Sequence, residues 1–208
     1  MSTRLVICRH GNTFGPNDTP TRVGARTDLA LVDTGRAQAE ALGVHFKANN
    51  FEFNRVFCSP LLRTRQTAET ALESMGLTQN VDVLNFLGEI DYGPDENKPE
   101  SDVIARIGQD ALTQWDESAI APEGWIVDTE FMIGDWLSFG EYAKEHFKDQ
   151  TILLVTSNGT ARFAPHLTGD YDRFRADNDI KLKTGAYGIL SHDGDAWHSE
   201  CWNTRPNK

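Results

Sequence analysis

The sequence predicts an α/β fold, a three-layer sandwich with a mainly parallel central sheet, helices on both faces and a helical insertion over the strand ends. Three observations lead there. Short apolar runs of strand length (LVIC at 5–8, RVFC at 55–58, TILLVT at 151–156) alternate with longer segments of helical period, the pattern of strands joined by crossover helices. Each run stops at a turn carrying Arg, His, Ser or Asn, and open α/β sheets keep their sites at the carboxyl ends of strands. Residues 92–148 read as helices holding three of the five tryptophans. The whole chain, 1–208, thus reads as one domain with a helical cap insertion at about 92–148.

Residues 5–8 run unbroken into Arg9, His10 and Gly11, so a buried strand delivers a cation and an imidazole to a turn. Residues 15–27, rich in Gly, Pro, Asn and Asp, read as a loop over that turn. Asp33 or Thr34 is expected to cap a helix starting near Gly35, with Ala37, Ala41, Leu42, Val44 and Phe46 as its apolar side and Asn49 and Asn50 as its stop. After the strand at 55–58, Ser59 as N-cap and Pro60 at the first helical position start a helix to about Ser74. Residues 79–87 alternate apolar and polar as a third strand ending at Gly88 and Glu89. The acids Asp91, Asp95, Glu96 and Glu100 then read as a solvated loop. One helix over 101–115 and another over 131–147 follow, with Trp115, Trp125 and Trp136 as core. The uncharged run at 151–156 predicts a central strand covered on both faces. A helix begins over 161–167, and 186–190 and 196–202 flank Asp193 and Gly194 as a hairpin does.

The balance of 20 Lys plus Arg against 31 Asp plus Glu, a formal charge of −11, opposes general affinity for nucleic acid or an anionic membrane. No apolar run approaches a membrane span, and the stretch before His10 is too short for a signal peptide. The chain reads as a soluble, cytoplasmic protein whose oligomeric state the sequence does not set. Cys8, Cys58 and Cys201 are too few and too scattered for a disulfide framework. They read as buried, reduced thiols, with a redox pair between Cys8 and Cys58 as the lesser alternative.

Four predicted strand ends converge: Arg9 with His10, 59–63, Glu89, and 157–159. Two guanidinium groups aimed at one point suit a tetrahedral dianion, because each planar fork donates paired hydrogen bonds and stays charged. A neutral histidine beside them is a nucleophile for phosphorus, and a carboxylic acid opposite can protonate the departing oxygen. Arg65 competes with Arg63 for the second guanidinium, and Asp91 with Glu89 for the acid. Asn12 and Thr13, just past His10, and Arg22 in the next loop stand where substrate contacts are expected, although Arg22 and Arg26 read equally well as surface charges. His166, His192 and His198 fall away from the strand ends.

RHGNT followed by SPLLRTRQTA strongly resembles the histidine phosphatase superfamily, also called the phosphoglycerate mutase-like family. TDLALVDTGRAQA, with Asp28, Gly35 and Gln38, and GEIDYG, with Glu89, extend the resemblance across the core but not in detail over the insertion. The resemblance implies hydrolysis of a small phosphomonoester through a phosphohistidine on His10. It makes Arg9 and Arg63 phosphate clamps and Glu89 the general acid and later base, with no metal or organic cofactor. The family's second catalytic histidine lies in a Ser-His-Gly turn, where this chain has Asn158 in VTSNGTAR. An amide keeps a hydrogen bond but loses the imidazolium charge, a loss of roughly 1–2 kcal/mol or about tenfold in rate. Mutase relatives carry a Trp-Asn pair soon after the histidine motif; Phe14 and Gly15 here favour hydrolysis over phosphoryl retention. A weakly active phospholigand-binding protein is the reading from a different class.

Overall fold

The computed structural model describes residues 2–206. In chain order the regular elements are β1 (Thr3–Arg9), α1 (Asp33–Ala48), β2 (Arg55–Cys58), α2 (Leu62–Met75), β3 (Asp82–Val83), α3 (Glu100–Ile107), α4 (Gln109–Ser118), α5 (Thr129–His146), β4 (Thr151–Thr156), α6 (Asn158–Ala161), α7 (Tyr171–Asp177), β5 (Tyr187–His192) and β6 (Trp197–Thr204). The six strands form one sheet in the order β3-β2-β4-β1-β5-β6. The pairings from β3 to β1 are parallel and the β5–β6 hairpin joins β1 antiparallel. The α/β sandwich expected from the sequence is therefore the fold observed.

Period-two alternation sorts each inner strand between two cores. Val6, Cys8, Val56, Cys58, Leu153 and Val155 face α1 and α2, where Leu42, Phe46, Ala68 and Leu72 are buried against them. Leu5, Ile7, Phe57, Ile152 and Leu154 face the other layer. There Phe139 of α5 and Phe147, the residue that ends it, lie 6.1 and 6.0 Å from the Phe57 ring, so this helix covers the sheet itself.

Several local expectations need correction. Neither Asp33 nor Thr34 caps α1; the N-cap is Val32, without a side-chain cap, and the Thr34 hydroxyl instead accepts from Asn12 Nδ2 at 3.3 Å. Helix α2 starts at Leu62 with Leu61 as N-cap, because the Ser59 hydroxyl turns to Thr64 Oγ1 and Leu61 N at 2.7 and 3.2 Å and leaves Pro60 outside the helix. The third strand shrinks to two exposed residues; 85–87 coil into a 3₁₀ turn that buries Leu87, which alternation along a strand cannot do alone. The helix expected over 101–115 breaks at Gly108, whose φ of 80° leaves the helical region. The segment after β4 is not one helix over 161–167. It is the single turn α6 followed by a 3₁₀ stretch, Ala164–Thr168.

The acids after Glu89 are not all solvated. Asp95 is buried and accepts from Arg106 and from Trp125 Nε1 at 2.7 Å, while Glu96 Oε1 collects Gly24 N, Arg26 N and Thr27 Oγ1. Cys8 and Cys58 both pair with Val155, from opposite sides of β4. A strand thus separates them by about 9–10 Å, beyond disulfide reach. Burial pushes the Cys58 thiol up to about 11 and raises Cys8 as well, against ready thiolate chemistry. Among the described residues no helix is long and apolar enough to cross a membrane.

Candidate active site

His10 leaves the end of β1 with only 6% of its surface exposed. Its Nδ1 lies 2.7 Å from Gly11 O and its Nε2 lies 3.2 Å from Arg63 Nε. A carbonyl only accepts and a guanidinium only donates, which assigns the ring proton to Nδ1 and the lone pair to Nε2. Burial first, then the charges of Arg63 and Arg9, hold the imidazole well below the ordinary histidine range. At neutral pH the ring is uncharged.

That shift has a measurable sign. Unfolded His10 takes up a proton near its usual 6.5, whereas the folded ring does not, so the stability it contributes is complete above that value and lost as pH falls through it. Between about pH 7.5 and about pH 5.5 the wild type is expected to lose roughly 1.4 kcal/mol more unfolding free energy than His10→Gln. Urea titrations of both proteins measure it. His45 and His166 are also lowered by burial, but they are common to both proteins and cancel.

Arg63 owes its position to the late start of α2, which puts it in the first turn, facing β1. It is wholly buried, with Nη1 on Thr27 O at 2.9 Å and Nη2 on Gly24 O at 3.4 Å. Its rival Arg65 is exposed. Arg9 donates Nη1 to Leu182 O at 2.8 Å and keeps a buried Nε with no hydrogen-bond partner. The turn after His10 is pinned to α1: Asn12 N donates to Gln38 Oε1 at 2.8 Å and Asn12 Oδ1 accepts from Thr184 Oγ1 at 2.6 Å.

Glu89 follows the 3₁₀ turn, not a strand end. Its Oε1 accepts from Ile90 N at 2.9 Å and its Oε2 from Gly159 N at 3.2 Å. Asp91 is instead held by Arg26 at 2.9 Å, and both stay outside the cleft. A Cβ on Gly159 would come 2.1 Å from Glu89 Oε1 and 3.0 Å from its Cδ, so only glycine lets the carboxylate and this turn meet. Gly159→Ala is expected to displace the Glu89 carboxylate while costing no more than about 1–3 kcal/mol of stability, because the clashing group is a movable side-chain end. A crystal structure of the variant would show the displacement, and an unmoved carboxylate would contradict it.

A cleft of about 530 Å³ opens over these residues. Arg9, His10, Asn12, Thr13, Arg22, Glu89 and Asn158 line it, and Arg63, which is not among the lining residues, meets the site through its hydrogen bond to His10 Nε2. The chain between β3 and β4 adds Tyr92, Glu100, Trp115 and Asp116 to the wall, so Trp115 is both core and cleft. Arg22 pairs with Glu100 and lies over the Trp125 ring at 5.4 Å. Asn158 Oδ1 accepts from Leu182 N at 2.9 Å, leaving Nδ2 as its donor for a ligand. His166, His192 and His198 stand elsewhere, against Tyr171, Trp197 and Asp193 respectively. Among the described residues no group of three His, Cys, Asp or Glu side chains is placed to hold a metal ion.

Two neighbours were given no role by the sequence, Ser157 within the expected strand end 157–159 and Arg162 beyond it. Arg9 pairs with Thr156 across β1 and β4, so one residue on His10 faces Ser157; Cys8 and Val155 share one core, and alternation puts His10 and Ser157 on that same face. The Ser157 hydroxyl is fully buried with no hydrogen-bond partner. Arg162 lies in the cleft wall with 1% exposure. Its signal was the four-residue spacing from Asn158, one helical turn.

A neutral histidine set among arginines at the strand ends of an α/β sheet defines the class, and the chain belongs to the histidine phosphatase superfamily (branch 1), whose family model matches residues 5–205. A 2,3-bisphosphoglycerate-dependent phosphoglycerate mutase of Mesorhizobium japonicum is 30% identical over 200 residues, covering 94% of this chain and 95% of that protein. An acid phosphatase of Mycobacterium tuberculosis is 41% identical over 90 residues, 43% of this chain and 41% of that protein. Among solved structures, a mycobacterial glucosyl-3-phosphoglycerate phosphatase complexed with VO3 superposes with a TM-score of 0.77 at 22% identity, covering 97% of this chain and 98% of the other, a likeness of fold.

Proposed function

We propose that the protein is a phosphatase that hydrolyses a small phosphomonoester through a phosphohistidine on His10. One observation carries the reading: His10 is neutral and its lone pair is fixed on Nε2, among the cations Arg63 and Arg9. In the first step Nε2 forms a bond to phosphorus as the ester P–O bond breaks, and Glu89 gives the departing oxygen its proton. Water then attacks phosphorus, Glu89 takes the water's proton, the N–P bond breaks, and phosphate leaves. Arg9, through its unpartnered Nε, and Arg63, whose Nε–H is freed from His10 when Nε2 bonds to phosphorus, hold the phosphoryl oxygens.

Asn158 contributes its Nδ2 at the place where the family's second histidine is absent. Asn12, Thr13 and Arg22 contact the substrate beyond its phosphoryl group, and the part of the 92–148 insertion that precedes α5 acts as a cap on a single domain, α5 itself covering the sheet. The acidic surface and the absence of a spanning helix among the described residues fit a soluble, cytoplasmic enzyme acting on small molecules. The similarity to a phosphoglycerate mutase supports a second reading, phosphoryl transfer between positions of one substrate. Phe14 and Gly15 after Thr13 weigh for hydrolysis.

The test is to mix the protein with an aryl phosphate, quench with alkali during turnover, and locate the phosphate on the chain. An alkali-stable, acid-labile adduct on His10 and free phosphate in solution are expected. Turnover without an adduct on His10 would overturn the mechanism, and isomerisation of a phosphoglycerate without phosphate release would favour the mutase.

A further inference from the structure

Arg63 and Arg162 are buried and Arg9 is half-buried, and among the described residues none of them forms an ion pair with a carboxylate. An uncompensated buried charge is costly unless something meets it. Burial lowers each of these guanidinium groups and the nearby Glu89 carboxylate opposes the shift at all three, so a single carboxylate faces three cations that remain charged at neutral pH. One phosphoryl dianion accounts for two of the three.

Arg162 is the third, and it is held differently. Its guanidinium lies over the Trp115 ring at 3.9 Å, Nη1 donates to Trp115 O, and Nε donates to Asn158 O at 3.4 Å. Nη2 makes no hydrogen bond within the described protein. Links run from Arg9 to Leu182 O, from Leu182 N to Asn158 Oδ1, and from Asn158 O to Arg162. The guanidinium therefore sits past Asn158, on the Trp115 side of the cleft. The other cations of the wall are already neutralised, Lys181 by Asp116 at 2.7 Å and Arg22 by Glu100.

We propose that Arg162 forms a second anion subsite, so that the preferred substrate is a phosphomonoester bearing another anionic group, a carboxylate or a second phosphate, a few bonds from the phosphoryl group attacked by His10. This rests on the phosphatase reading above. The planar face of Arg162 is occupied by Trp115 and two of its nitrogens by carbonyls, which fixes the direction of Nη2 before a ligand arrives. A fixed donor at low exposure rejects an analogue lacking the acceptor more strongly than a solvated one does.

Three probes of matched length test it: propyl phosphate, its analogue ending in a carboxylate, and propanediol bisphosphate. The wild type is expected to favour one or both of the last two over propyl phosphate by roughly tenfold or more in kcat/KM. Arg162→Gln should abolish that preference while changing propyl phosphate hydrolysis less than about threefold, and Arg162→Lys should restore part of it. Which of the two anionic probes gains more identifies the second group. An equal loss on all three probes would assign Arg162 to the transferred phosphoryl group and overturn the subsite, as would a wild type with no preference. Calorimetric binding of the same probes to His10→Ala separates this from the parent reading: a binding preference that depends on Arg162, without turnover in the wild type, sustains the subsite and sinks the phosphatase. The wild-type preference needs no variant, so a poorly folding Arg162→Gln leaves the question decidable.

Discussion

Replacing His10 with alanine is expected to lower phosphate release by roughly ten-thousand-fold or more, because the substitution removes the attacking atom while the arginines still bind. Nε2 is the ring atom presented for attack, since Nδ1 is committed to Gly11 O at 2.7 Å. The loss should fall on kcat, with KM changed little, because Arg9, Asn158 and the cleft walls remain. Stability should fall by about 1–3 kcal/mol, since Arg63 Nε loses its acceptor in a buried place. Steady-state phosphate release and urea unfolding on the same preparation measure both. Activity within tenfold of wild type would remove His10 from the chemistry.

Gly35→Ala should have the largest effect on stability. Here the turn after His10 and the start of α1 touch backbone to backbone: a Cβ on Gly35 would lie 2.1 Å from Asn12 O, and one on Gly11 would lie 2.3 Å from Gly35 O. Neither neighbour is a flexible side chain that can swing away. Overpacking of this kind costs about 3 kcal/mol, which for a chain of this size lowers Tm by roughly 6–12 °C. Activity should fall with it, because Asn12 shifts and carries His10. Gly134→Ala is the control, since nothing lies within 4 Å of its Cβ in α5; it should leave stability unchanged or raise it by up to about 1 kcal/mol. Calorimetric melting of the two variants checks both, with Tm lowered in Gly35→Ala and not lowered in Gly134→Ala.

The sequence by itself determined the sheet and the place of His10 at its edge. TILLVT has no charge and can only be buried on both faces, so β4 is central, and LVIC must deliver Arg9 and His10 to its end. Local order also chose between some rivals, since Arg63 and Arg65 point to different sides of one helix. Other elements were not legible because their cause is not local. The alternation over 79–87 is real, but Leu87 has its burial in the second core, and the 3₁₀ turn that reaches it takes precedence over strand pairing. Ser59 with Pro60 has the form of a helix start, yet the hydroxyl found Thr64, and the later start is what aims Arg63 at His10.

Only the tertiary structure decided what surrounds the histidine. Ser157 faces His10 because two strands distant in sequence pair in one register. Arg162 becomes an unpaired buried charge only when α4 lays Trp115 against it and takes Asp116 away to Lys181. Periodicity reports which face of an element is buried. It carries no information about which charges on separate elements end up without a partner, and at this site that decides what the cleft can hold.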